Sequence, residues 1–407
     1  MVQPRGRSEK MPITIGSVQF EIKQARPMKQ RSAASARKAI SALFVANGFA
    51  FGVWSAHIAV FKQNYQLSNA HLTIPLFTLA LGAILSMPFV GRVFHRIDSS
   101  RIAWSGQICY AVMLSLLPWT RSLTWLAIGT FCFGLLRGTV DVSTNTQAII
   151  TERAYGSAVM SGLQGFWSLG GVIGAAFSSV LLRQHSTARQ NLCAAAVCMI
   201  VSILISKRYL LTEDRPVDPP AGWVLIPRAL WALAAVAFLS FFIEGAIGDW
   251  GTVYLRSTLH LSTATAATGY AVFSLSMMTG CFIGDHLTMR LGATNLLRAS
   301  GALVAFGFGF ALLGTTYFAA MIGFLFAGFG LSHMVALIFG AAARRFPGGV
   351  GAAIAAAASV GYLGFLVGPP VGGSLSGVVG LRAALTLVVV AGVTISFAAR
   401  SVMAETA

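Results

Sequence analysis

The stretch KRYLLTEDRPVDPPAGWVLIPR, Lys207 to Arg228, is the only long polar segment among otherwise apolar runs, and it holds four of the thirteen prolines. Six apolar runs precede it, near 39–61, 72–91, 102–119, 123–149, 157–182 and 190–206. Six follow, near 229–255, 264–284, 296–314, 317–341, 351–375 and 381–399. Each is long enough to cross a bilayer, which takes about 20 apolar residues in a helix, the form that satisfies its own backbone in lipid. The reading is an all-α membrane protein of twelve transmembrane helices in two pseudo-symmetric six-helix bundles. The expected divisions are a basic tail without fixed structure (1–36), an N-terminal bundle (37–206), a linker (207–228), a C-terminal bundle (229–400) and a short tail (401–407).

Composition agrees with this division. Of 407 residues, 56% are hydrophobic and only 10% charged, whereas soluble domains carry roughly 25% charged residues, so an ordinary water-soluble enzyme is excluded. Twelve spans take about 240 residues, which leaves no room for a large domain outside the membrane. The net charge of +17 reflects position, not nucleic-acid binding: nine of the 29 Lys and Arg residues precede residue 39. That run lacks the apolar stretch and cleavage site of a secretory signal, and Met11 and Met28 stand beside Met1 as alternative starts. Cys109, Cys132, Cys193, Cys198 and Cys281 form no CxxC pair and read as buried packing thiols.

With both ends cytoplasmic, the tails and the loops on their side hold 22 Lys and Arg residues against six in the opposite loops, with Arg137 inside a span. This bias predicts a multi-pass protein of the cell's inner membrane with both termini cytoplasmic.

Features recur at an offset of 194 residues. Leu67-Ser68 returns as Leu261-Ser262, Arg96 as Arg290, Gly134 as Gly328, and Leu169-Gly170-x3-Gly174 as Leu363-Gly364-x3-Gly368. One match is noise among 43 glycines, but a shared offset across several helices argues for a duplicated six-helix unit, a layout in which transporters bind substrate between halves near mid-membrane.

From about residue 39 to 400 the chain resembles the major facilitator superfamily, within its fucose-permease-like branch. The stretch Gly91-Arg92-Val93-Phe94-His95-Arg96-Ile97-Asp98 is similar to the superfamily's signature loop of a Gly followed by basic residues, with Asp98 where the pattern usually has Gly. Its copy runs from Gly284 to Gly292. The resemblance implies a gate at the cytoplasmic side formed by loops with Gly91, Arg92, Arg96, Gly284, Asp285 and Arg290, locked or released by charge contacts with helix ends. Plain positive-inside anchoring is the other reading of those charges. In span four, Asp141 followed by Asn145 resembles the pair that fucose permeases use for sugar and proton. Those permeases also carry an acid in span one, where this chain has Ser55.

Ionisable groups at membrane depth cost ~2.5–3.5 kcal/mol each on insertion scales, so each needs a reason. Arg137, Asp141 and Asn145 lie at i, i+4 and i+8 on one face of span four, as a substrate and proton site or as a structural ion pair. Glu244 falls near the middle of span seven with no basic residue within a turn, a carboxyl suited to taking up and releasing a proton. Asp249 reads as a cavity-mouth or packing residue and Trp250 as an interfacial anchor. Asn47, Trp54 and His57 share a broad face of span one, and His57 could replace the missing acid. Gln164, Phe166, Trp167 and Tyr362 offer rings and an amide for gripping a solute. Pro369-Pro370 is expected to kink span eleven. Span ten has Leu331 and Val335 where span four has Arg137 and Asp141, which puts ion handling in the first half plus span seven.

The function expected is secondary active transport of a small polar solute, a sugar among the candidates, by alternating access with proton coupling. Efflux of amphipathic compounds is the alternative. A non-transporting sensor or membrane enzyme is the rival class, for which no HExxH, GxSxG or Walker-type loop speaks. The expected partners are the solute, protons and the bilayer, with no nucleic acid, cofactor or metal, in a monomer.

Overall fold

The structure, a computed structural model, describes residues 14–15, 18–19, 30–93, 97–155, 160–212, 230–345 and 350–404. Eleven long helices come first: α1 (Gln30–Asn64), α2 (Asn69–Val93), α3 (Ser99–Leu116), α4 (Leu123–Tyr155), α5 (Met160–Arg183), α6 (Ala188–Ser206), α7 (Trp231–Ser257), α8 (Thr263–Leu291), α9 (Ala293–Leu313), α10 (Tyr317–Arg345) and α11 (Val350–Val379). Two further helices, α12 (Leu381–Ala384) and α13 (Thr386–Ala404), together make the twelfth span. Twelve segments among the described residues are long and apolar enough to cross a membrane. The described residues also include two short 3-10 turns, Leu117–Trp119 and Lys207–Tyr209, and a two-residue antiparallel ladder in the tail, Thr14–Ile15 against Val18–Gln19.

The duplication is visible in what touches what. In the first half α1 packs on α5, α2 on α4, and α3 on α4 and α6; in the second α7 packs on α11, α8 on α10, and α9 on α10 and α13. Each pair is its counterpart shifted by six spans. The contacts between halves, α5 with α8 and α2 with α11, are exchanged by the same shift. Individual atoms repeat as well. A Cβ on Gly134 would overlap the carbonyl oxygen of Leu79, and one on Gly328 the carbonyl oxygen of Phe273, the same neighbour 194 residues on. Gln66 and His260, also 194 apart, are both left-handed non-glycine residues, with φ of 52° and 54°. At the end of α9, Arg382 donates to the carbonyls of Leu312 and Leu313. In the first half Arg189 points at the Pro118 carbonyl at 3.5 Å and lies 4.5 Å over the Trp119 ring.

With twelve crossings, Gln30 and Ala404 lie on one face of the bundle, the terminal face; the opposite face is called distal. Four hydrogen bonds between described residues join the halves, all towards the distal face. Ser55 Oγ donates to the Gly248 carbonyl (2.6 Å) and Thr252 Oγ1 to the Ser55 carbonyl (2.8 Å). Thr73 Oγ1 donates to the Pro369 carbonyl (3.3 Å) and Ser179 Oγ to the Ala264 carbonyl (2.7 Å). The two central helices, α1 and α7, are the most buried of the spans.

Several expectations change. α1 starts at Gln30, inside the expected tail 1–36, because Ala33, Ala36, Ala39 and Ile40 form a buried face while Arg37 and Lys38 remain exposed. A run of charge marks a wet face here, not a helix end. Likewise α13 continues past residue 400 to Ala404. Most of the 207–228 linker and of the tail lies outside the described residues. Gly284, Asp285 and Arg290 belong to α8 and not to a loop, since the turn to α9 is made by Gly292 alone at φ 74°. Asp98 stands at the repeat position of Gly292 but has φ −53° and caps α3, accepting the Ser100 N–H at 2.6 Å. No glycine is needed there. Gly91 and Arg92 close α2, and Arg96 lies outside the described residues.

α11 runs through Pro369 and Pro370 as one helix, their carbonyls taken by Thr73 and Ser374. Trp250 is fully buried instead of interfacial, with its ring against Gly372 of α11. None of the five cysteines is fully buried, and Cys109 and Cys198 are exposed. Large apolar side chains such as Leu313 and Phe397 are exposed as well, as suits an outer surface that meets lipid tails.

Candidate substrate and proton site

Glycines on α4 set the site's geometry. Gly134 and Gly138 sit so close to the Leu79 and Ala83 carbonyls of α2 that any side chain would collide. That tight seam fixes the rotation of α4. Arg137 Nε stands 3.9 Å from Asp141 Oδ2, with side-chain exposures of 13% and 18%. From α1, Asn47 donates its Nδ2 hydrogen to Asp141 Oδ1 at 2.7 Å. The carboxylate therefore has a cation on one oxygen and an amide on the other, the kind of satisfaction a charge needs where water is scarce. Asn145 donates to the backbone carbonyl of Asp141 at 2.8 Å, back-bonding along its own helix.

Arg137 and Asp141 face a space between the halves, about 450 Å³ when its opening to solvent is counted. Its walls come from α1 (Phe51), α2 (Leu76, Leu79, Ala80, Ala83, Ile84), α4 (Arg137, Asp141), α7 (Gly245, Asp249) and α11 (Tyr362, Phe365). The Arg137 guanidinium lies 4.1 Å over the Phe51 ring and 5.8 Å from that of Phe365, a cation–π arrangement that straddles both halves. Tyr362 is stacked on Phe241 at 5.3 Å and 14° between planes.

Two carboxyls approach from α7. Asp249 lines the cavity, and Glu244 precedes the lining Gly245. Both are partly exposed and form no hydrogen bond or ion pair with a described residue. Arg137 is near enough to act on each through charge. One guanidinium thus serves three carboxyls at mid-membrane, so the group is neutral only with two protons, or other positive charges, bound.

The other sequence candidates separate into groups. Trp167, partly buried, lies 5.8 Å from Phe51, beside the cavity. Phe166 meets Phe282 of the other half edge-on. Gln164 is exposed near the terminal end of α5. Trp54 is buried between Phe61 and Phe133, inside the first half. His57 is fully buried; its Nδ1 pairs with the Val53 carbonyl at 2.8 Å and its Nε2 has no partner among the described residues. Neither Trp54 nor His57 lines the cavity. The side chain of Asp285 lies outside the described residues.

Sequence reasoning missed Phe51, Phe365 and Tyr110. The phenol of Tyr110, on α3, is fully buried without a hydrogen-bond partner among the described residues, within electrostatic reach of Arg137 and Asp141. Nothing in a run of apolar residues marks which ring will face a guanidinium. The repeat offers no help, since α10 carries no matching charges.

The sequence profile of the Major Facilitator Superfamily matches residues 150–364, more than half of the chain and parts of both halves. The chain belongs to this superfamily. An uncharacterized MFS-type transporter of Yersinia pestis is 30% identical over 367 residues, 89% of this chain and 94% of that protein. Among solved structures, a point mutant of the nucleoside transporter NupG superposes with a TM-score of 0.73 at 12% identity, over 90% of this chain and 99% of the other. A bacterial homolog of the human lysosomal transporter Spinster, in an inward-facing, unoccupied conformation, gives 0.71 at 14% identity over 93% and 99%. At such identities the likeness is one of fold. Family and fold together are those of a multi-pass, non-enzymatic membrane transporter.

Proposed function

We propose that this superfamily member is a proton-coupled secondary transporter that moves a small solute through the mid-membrane cavity by alternating access. The observation that carries the reading is the uneven charge at that cavity: Arg137 with Asp141 line it from one half and Asp249 from the facing half, with Glu244 next to the lining Gly245 and within reach of the charge of Arg137. Acids without a full complement of cations at membrane depth need protons, and groups on opposite halves change their mutual distance when the halves rock. Hydrogen bonds towards the distal face hold one side together, which suits a state that admits solute from the terminal side. The surplus of Lys and Arg on that side supports both termini in the cytoplasm, with the protein in the inner membrane.

Kinship with the fucose-permease-like branch rests on Asp141 and Asn145. Against it stands Ser55, whose hydroxyl and carbonyl are both engaged with α7. A sugar would need many hydrogen-bonding groups, and the cavity lining is mostly aliphatic and aromatic; that lining favours an amphipathic solute. In proteoliposomes containing pyranine, addition of amphipathic dyes, nucleosides or sugars to wild type should shift internal pH for at least one of them, and Asp141→Asn should abolish the shift. Transport that ignores an imposed pH step in both proteins would refute the coupling.

A further inference from the structure

We infer that the cavity selects solutes carrying a positive charge on an apolar or aromatic body, with Asp249 as the anchoring carboxylate. The inference rests on the transporter reading and adds to it the chemical class of the solute.

The cavity has two contrasting walls. One is α2, presenting Leu76, Leu79, Ala80, Ala83 and Ile84 without a polar side chain among them. The other is built by α4, α7 and α11 and contains Asp141, Asp249 and Tyr362 beside the ring of Phe365. Between these walls a positive charge is already held over an aromatic face, the guanidinium of Arg137 at 4.1 Å from the Phe51 ring. Its nearest carboxylate is Asp141 of its own helix at 3.9 Å, which also accepts from Asn47. An anionic solute would meet three carboxyls against a single guanidinium, a surrounding of net negative charge. A neutral polyol would find too few donors and acceptors to replace its water.

Asp249 is differently placed. It lies on the opposite half and lines the same space, and no described residue bonds to it. Its charge acts on Arg137 only at a distance. A solute with an ammonium or phosphonium centre could meet Asp249 while its apolar part covers the α2 wall and its π-faces meet Phe365 and Tyr362. Such a solute supplies one of the positive charges that the three carboxyls lack. Bound cation and bound proton are then interchangeable at the same carboxyl, a direct basis for exchanging one for the other.

The test uses purified full-length protein in detergent, with equilibrium binding of radiolabelled tetraphenylphosphonium and, in parallel, of triphenylphosphine oxide, a neutral molecule with similar rings. The wild type should bind the cation at least about tenfold more tightly than the neutral analogue, and Asp249→Asn should erase most of that preference by weakening the cation far more than the neutral analogue. Asp249→Glu, which keeps the charge, should retain it, and a common melting temperature would show that all three proteins fold. Equal affinity for the two probes, or a cation preference that survives Asp249→Asn, would overturn the inference. If D-glucose or another neutral solute then evoked proton movement in vesicles, the transport reading would stand without the cation site. If the cation bound through Asp249 but moved no protons, the site would stand and the coupling would fall.

Discussion

Asn47 of α1 and Asp141 of α4, 94 residues apart in the chain, meet through a 2.7 Å hydrogen bond from the amide to the carboxylate. This bond ties the most buried helix of the first half to the helix that carries its ion pair. A hydrogen bond to a charged group contributes about 1.5–3 kcal/mol. Asn47→Ala should lower stability by that order, read from thermal unfolding in detergent, and it should reduce transport more than a substitution on the lipid-facing surface such as Phe397→Leu.

Arg137 is the cation on which three acids depend. Arg137→Ala should cost about 3–5 kcal/mol, the range for breaking a buried pair by removing one partner. Asp141→Asn in the same chain should restore part of the loss. A double-mutant cycle measured by unfolding would show positive coupling between the two sites, and simple additivity would count against the pair.

The duplicated glycines differ in what they permit. Gly174 of α5 lies so close to the Phe49 carbonyl of α1 that a methyl group would overlap it, whereas the nearest atom to a Cβ at Gly368 of α11 is 3.9 Å away. Gly174→Ala should sharply reduce folded yield. Gly368→Ala should be close to neutral by the same measurement.

Ser55 of α1 donates to the Gly248 carbonyl of α7, and Thr252 of α7 donates to the Ser55 carbonyl. Removing both hydroxyls in Ser55→Ala/Thr252→Val should weaken the distal closure by about 1 kcal/mol per bond, enough to shift a two-state population roughly fivefold or more. Labelling of a cysteine introduced at the buried Ala264, whose backbone carbonyl accepts the neighbouring distal bond from Ser179, should then become faster.

Much of the architecture was legible because a bilayer imposes a simple rule on sequence: about twenty apolar residues per crossing, with the basic residues gathered on one side. The pairing of Arg137 with Asp141 could be read from their spacing of four on one helix. Two kinds of information were not legible. The helix ends near Gln30 and Leu291 were misjudged because charged residues continue helices along a wet face as readily as they end them. The roles of Trp54 and His57 on α1 depend on helix rotation, which is set by close glycine contacts with α5, not by polarity. Phe51 became recognisable only once the structure placed its ring under Arg137.

A membrane potential acts on charge that moves through it, at about 2.3 kcal/mol per elementary charge per 100 mV. Arg137 and Asp141 travel together on one helix with opposite signs, so displacing that helix does almost no electrical work. Under the proposed cycle, the voltage sensitivity left to the protein falls to α7, where it depends on how many of its two acids, Glu244 and Asp249, cross without a proton or a bound cation.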